Sequence, residues 1–200
     1  MVTPCRTERP RTARVGGAAE VEPSLETRTL IARAKKTLGL SEPLRAEPWV
    51  LGQGTTFRCA GGYLKIEGAY TNDPALIEGG VGRWQDVSGS AIRAAIALGL
   101  IGLQSVQPAL GGNLDHRFTN GNLSVQNFGS TRAQYAYLRN AGHVPPVVIA
   151  AAVEHGLHGL GSQRMIGDVR HYKFENGWLE ATGVPGVMPN EIIGVKVARR

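Results

Sequence analysis

Only two cysteines occur in the 200 residues, Cys5 and Cys59. Cys5 lies in the Arg-rich N-terminal stretch, so the sequence argues against a disulfide framework, and a reducing compartment is the default expectation. No apolar run reaches the roughly 18 residues that a membrane span needs. The N-terminus has no apolar segment of the secretory type, and Glu8, Glu20 and Glu22 argue against a simple transit peptide. No internal repeat is visible at a period of 20–50 residues, and no low-complexity tract lies beyond the N-terminal stretch. These absences point to a single domain with a tail, cytoplasmic or delivered as an effector, with no membrane among its partners.

Glycine and positive charge are abundant. The 27 glycines imply many turns and a loop-rich fold rather than a helix bundle. The net charge of +6 and the pI near 9.7 favour acidic partners: nucleic acid, a dinucleotide or an anionic surface. Part of the excess is local, with Arg6, Arg9, Arg11 and Arg14 near one end and Arg199 and Arg200 at the other.

Along the chain, residues 1–22 read as a flexible basic arm and 23–44 as a helix and linker, ahead of one α+β domain over 45–200. Ser24 is a suitable N-cap and Gly39 a suitable stop, with Leu25, Leu30, Ile31, Ala34 and Leu38 at helical spacing. Residues 49–70 are β-rich. Strands through Phe57 and through Tyr63 to Ile66 flank a Gly61-Gly62 hairpin turn. Thr71 to Pro74 is a turn, and residues 75–89 are glycine-punctuated with Trp84 as an anchor. Residues 90–98 read as a helix ended by Gly99, and residues 99–121 mostly as loop. Residues 123–128 read as a strand, 132–140 as a helix capped by Ser130 and Thr131, 145–153 as a buried strand, and 155–170 as loop. Two strands joined by a Gly/Pro-rich turn close the chain, with Glu180 on the first and Glu191 just before the second.

From Leu123 onward the residues run Ser130-Thr131, Ala133 to Ala136, Glu180, Val184-Pro185 and Pro189 to Val195. This order resembles the back half of ADP-ribosyltransferase-like domains, which include RNA 2′-phosphotransferases and bacterial toxins. The resemblance implies a glycine-rich mixed β core with a split sheet, and NAD as cofactor. It implies that Glu180 stabilises the oxocarbenium-like centre, that Ser130 orients it, and that Arg58 forks onto the pyrophosphate. Gly61, Tyr63, Thr131 and Tyr135 would complete the NAD site, with Tyr70 and Trp84 as further stacking candidates. Such an enzyme would be a toxin or effector transferring ADP-ribose to an acceptor that the sequence does not name.

Two other readings compete. The run from Leu64 through Glu67, Tyr70 and Asp73-Pro74 to Gly79-Gly80 resembles the opening of phage-type peptidoglycan hydrolases. In that reading Glu67 is a general acid whose pKa is raised by burial against Tyr70. The third reading is non-enzymatic: a virion or nucleic-acid-associated assembly protein whose arginines neutralise phosphate. Glu154, His155, His158 and His171 read as solvated polar residues rather than metal ligands, and Asp115-His116-Arg117 as a tripeptide of little specificity.

Overall fold

The structure, a computed structural model, describes residues 22–42, 45–48, 54–82, 85–126, 132–183 and 188–198. The expected split, mixed sheet is not formed. Three separate antiparallel meanders form instead, each following a helix. Helix α1 (Leu25–Leu38) precedes β1 (Arg45–Pro48), β2 (Gly54–Cys59), β3 (Gly62–Glu67), β4 (Ala75–Val81) and β5 (Gln85–Ser88), which pair in that order. Helix α2 (Gly89–Leu98) precedes the second sheet: β6 (Leu103–Pro108), β7 (Asn113–Phe118), β8 (Gly121–Gln126), β9 (Arg132–Leu138) and β10 (Gly142–Val144). Helix α3 (Pro146–Glu154) precedes β11 (Ser162–Ile166), β12 (Val169–Phe174), β13 (Gly177–Thr182) and β14 (Glu191–Val197).

Local chemistry sets the helix ends. Ser24 Oγ accepts from the Thr27 N–H at 3.1 Å, and Ser88 Oγ from the Ala91 N–H at 3.3 Å, so each satisfies a donor that has no intrahelical partner. Gly39, Gly99 and Gly156 turn left-handed at φ 71°, 68° and 64°. Each is followed by a leucine whose N–H returns to the last helical turn: Leu40 to Lys35, Leu100 to Ala95 and Leu157 to Ala152.

Those three Gly-Leu pairs belong to a repeat. Its period, near 60 residues, is longer than the periods at which the sequence showed none. Gly62, Gly121 and Gly177 stand 59 and then 56 residues apart, each the first residue of the second strand of a hairpin. The pairs closing the three hairpins are Cys59–Gly62, Phe118–Gly121 and Phe174–Gly177. A Cβ at any of these glycines would run into the carbonyl of the next strand (Gly80, Tyr137 or Lys196) and to 2.9 Å from Leu40, Leu100 or Leu157. The next strand bulges at one equivalent place in every module, after the pairs Lys65–Glu78, Ser124–Tyr135 and Glu180–Gly194. The inward residues match as well: Leu64, Leu123 and Leu179, then Ile66, Val125 and Ala181, all buried.

The modules are stacked by equivalent bonds. Gly102 N–H donates to Lys36 O at 3.1 Å, and Gly159 N–H donates to Ile96 O at 3.3 Å, so each post-helix loop rests on the helix before it. Helix α2 packs against β4 and β5 of the sheet before it and β9 of its own; α3 packs against β9, β13 and β14. The array has ends. Leu38 and Leu98 are buried, whereas His155 in the same place on α3 is exposed. Ile92 and Ile149 are buried, whereas Ala32 in the same place on α1 is exposed.

Several local expectations are corrected. Residues 132–138 form β9, not a helix: Ala136 and Leu138 are buried while Tyr135 and Tyr137 are exposed, a period of two. Residues 146–154 form α3, not a strand. Pro146 takes the first helical position, where its missing N–H costs nothing, and three alanines outweigh the β-branched run. Strands β6 and β7 occupy the expected loop of 99–121, and β11 part of the expected loop of 155–170. Residues 1–21 of the arm, Trp49, Trp84 and the Val184-Pro185 turn lie outside the described residues.

Candidate functional site

The residues expected to form one NAD site are distributed over the modules. Arg58, Gly61 and Tyr63 belong to the first sheet and its hairpin, Tyr135 to the second sheet and Glu180 to the third. Ser130 and Thr131 lie outside the described residues. In the module frame Arg58 is the counterpart of Lys173, and Glu180 that of Lys65 and Ser124. Arg58 Nε donates to Glu47 Oε2 at 2.7 Å, which engages the guanidinium. Tyr63 OH donates to Asp86 Oδ1 at 2.5 Å and also reaches Glu78 Oε1 at 3.1 Å, while Lys65 pairs with Glu78. Burial, more than the hydrogen bonds it donates to these carboxylates, pushes the Tyr63 phenol far above its ordinary value.

Glu180 does line a groove. The outward face of the third sheet forms an open depression of about 730 Å³ over Ser162, Arg164, His171, Lys173, Trp178 and Glu180. Antiparallel register puts these side chains in two cross-strand rows. Arg164 faces His171, which faces Glu180, which faces Gly194; Ser162 faces Lys173, which faces Trp178, which faces Lys196. His171 Nδ1 lies 3.0 Å from Glu180 Oε1, each side chain a little over one-quarter exposed. A Cβ on Gly194 would stand 3.1 Å from Glu180 Oε2 and 3.2 Å from Trp178 Cζ3. The bare glycine therefore gives the indole and the carboxylate a seat on the sheet, and leaves Trp178 37% exposed as a platform.

This groove was only half legible. Trp178, His171 and Glu180 lie in one stretch of sequence, but Arg164 falls in an expected loop. Alternation in strands would have grouped Lys173 with Trp178; only the β11–β12 pairing brings Arg164 to them.

Other candidates resolve into structural roles. Glu67 and Tyr70 are both exposed, so the burial that the general-acid role requires is missing. His158 Nδ1 lies 3.2 Å from Glu175 Oε2, and its Nε2 lies 2.8 Å from Arg33, a tie between the third module and α1. Glu154 and His155 are exposed at the end of α3. His116 is buried on the inward face of β7, and that burial pushes its pKa below the ordinary value. Among the described residues no cluster of three His, Cys, Asp or Glu side chains could hold a metal, and no helix is long and apolar enough to cross a membrane. No protein-family model, curated protein or solved structure matches the chain.

Proposed function

We propose that the protein is a non-enzymatic, nucleic-acid-associated assembly component that contacts single-stranded nucleic acid through the outward faces of its sheets. The observation that carries this reading is a cation recurring at one module position, in the same cross-strand row as an aromatic ring. Arg58 faces Tyr63, and Lys173 faces Trp178. Arg117 shares its cross-strand row with Tyr137, whose ring meets His143 edge-on at 5.0 Å. A cation holds a phosphate while the ring offers its face to a base, and both interactions tolerate any sequence. In the first module Glu47 engages the arginine and two carboxylates hold the tyrosine, so the second and third modules carry the contact. The third has the open groove, which Arg164, Lys173 and Trp178 line. The net charge of +6 adds a general attraction for polyanions.

The test is fluorescence anisotropy with labelled single- and double-stranded oligonucleotides over a range of salt. Binding should prefer the single strand and weaken linearly in log–log salt. Lys173→Glu should weaken it and flatten the slope, and Trp178→Ala should cost about 1–3 kcal/mol. Absence of binding at low salt refutes the reading. Nicotinamide release from NAD that disappears in Glu180→Ala would replace it with the transferase reading, which Glu180 at the groove keeps open to that assay.

A further inference from the structure

Phosphate contacts by Lys173 and Arg164 and stacking on Trp178 leave Glu180 without a task in the groove of the third sheet. A carboxylate there repels the phosphates that its cationic neighbours attract. The equivalent position holds Lys65 in the first module and Ser124 in the second, so a carboxylate at this place belongs to the third module alone. Lys65 is paired with Glu78 and Ser124 is fully buried, whereas the Glu180 side chain is 28% exposed and lines the groove.

Glu180 and Trp178 are alternate residues of β13, so both project from the outward face. Gly194 on the neighbouring strand leaves room for both. Glu180 Oε2 and Trp178 Cζ3 come within 3.1 and 3.2 Å of the one Cβ position that this glycine leaves vacant. His171 Nδ1 stands 3.0 Å from the other oxygen, Oε1, and fixes the carboxylate on that side. Among the described residues no hydrogen bond or ion pair reaches Oε2. An acceptor oxygen is therefore held open next to the ring on which a base would stack, close enough for one base to meet both.

We propose that Glu180 reads the base stacked on Trp178 and makes this groove selective for guanine within a single strand. The inference rests on the single-strand function proposed above and adds a base preference to it. A carboxylate only accepts hydrogen bonds, so it selects a base edge with adjacent donors. Guanine places its N1–H and one hydrogen of its N2 amino group side by side, which matches the two carboxylate oxygens in a charge-assisted fork. Oε1 keeps a free lone pair for this after meeting His171. Adenine and cytosine set a single amino group beside an acceptor nitrogen. Thymine and uracil set one N–H between two carbonyls. In each of these a lone pair faces the carboxylate, and the acceptor loses water without full replacement. Lys173 and Lys196 in the row of Trp178, and Arg164 in the row of Glu180, take the flanking phosphates.

Fluorescence anisotropy with short thymine oligonucleotides that carry one central variable base tests the proposal. Central guanine should bind about tenfold more tightly than central thymine, with hypoxanthine, which lacks the N2 amino group, in between. In Glu180→Gln the guanine preference should fall below about twofold, while the all-thymine strand binds about twofold more tightly because a negative charge has left the phosphate groove. Guanosine monophosphate should displace the guanine strand only at far higher concentration, since it brings one phosphate. Displacement at equal concentration would make the free nucleotide the ligand and overturn the assignment to a strand. Binding that ignores the central base, or a guanine preference that survives Glu180→Gln, overturns the inference and leaves the single-strand function standing. Absence of binding to every oligonucleotide at low salt overturns both.

Discussion

One core position separates the three modules at the residue scale: it is Phe57 in the first, His116 in the second and Tyr172 in the third, all buried. Burial depresses the His116 pKa, so the unfolded chain, near the ordinary value of 6.5, binds its proton first as pH falls. The stability held by neutral His116 is therefore complete above about pH 6.5 and is lost as the pH drops through and below that value. His116→Phe should remove this component of the acid dependence, seen as a flatter plot of urea midpoint against pH between 7 and 5. A second residue-scale contrast is the asparagine clamp. Asn120 donates to Gly99 O and accepts from Ile101 N–H, both at 2.9 Å. Asn176 does the same for Gly156 O at 3.0 Å and His158 N–H at 2.9 Å. The first module has Gly61 there, with no atom nearer than 3.9 Å to an added Cβ. Asn120→Ala should cost about 2 kcal/mol by leaving two partly buried backbone groups unpaired, and Gly61→Asn should gain about 1 kcal/mol. Thermal unfolding of both variants measures the pair of effects, which must have opposite sign.

Helix α2 is the element that binds the array together. It buries one face under the first sheet and another over the second, so Ala91, Ile92, Ala94, Ala95, Ala97 and Leu98 are all buried. That breadth of burial explains the run of alanines, which lets sheets approach from both sides. Ile92→Ala should cost about 3 kcal/mol through the cavity it leaves, whereas Ala32→Ser at the equivalent exposed place on α1 should change stability by less than about 0.5 kcal/mol. Denaturant midpoints of the two variants check this. Elements whose signals are local were legible: α1 from Ser24 to Gly39, α2 to Gly99, and the strands around Phe57, Tyr63 and Leu123. Elements whose signals conflict were not. Residues 132–138 contain good helix formers yet form a strand, and 146–154 contain β-branched residues yet form a helix, because each is completed by neighbours on both sides.

For the whole molecule, shared helices couple the modules. Helices α2 and α3 are each core for two sheets, so losing one sheet exposes the helix face that supports the next. Unfolding should therefore be a single transition. In a Trp49→Phe/Trp84→Phe background, Trp178 fluorescence reports the third sheet, and its urea midpoint should coincide with that of far-ultraviolet circular dichroism. A midpoint for Trp178 well below that of the dichroism would mean that the third module melts alone.

The sequence by itself determined the punctuation: the serine caps, the Gly-Leu helix ends, the hairpin glycines and the inward leucines of the strands. These depend on backbone conformation and period, which a chain carries locally. It also carried the repeat, but at a period near 60 residues and in few identical positions, so that hairpins as different as those around Gly61, Asn120 and Asn176 became comparable only through their shared pairing. Tertiary structure alone decided that residues 132–138 and 146–154 exchange the conformations their composition favours. It alone set Glu180 beside His171 and Trp178, on a different sheet from Arg58. The reason is physical: strand pairing and the packing of a helix between two sheets are satisfied by distant partners, and their free energy exceeds the few tenths of a kcal/mol by which local propensity favours one conformation over another.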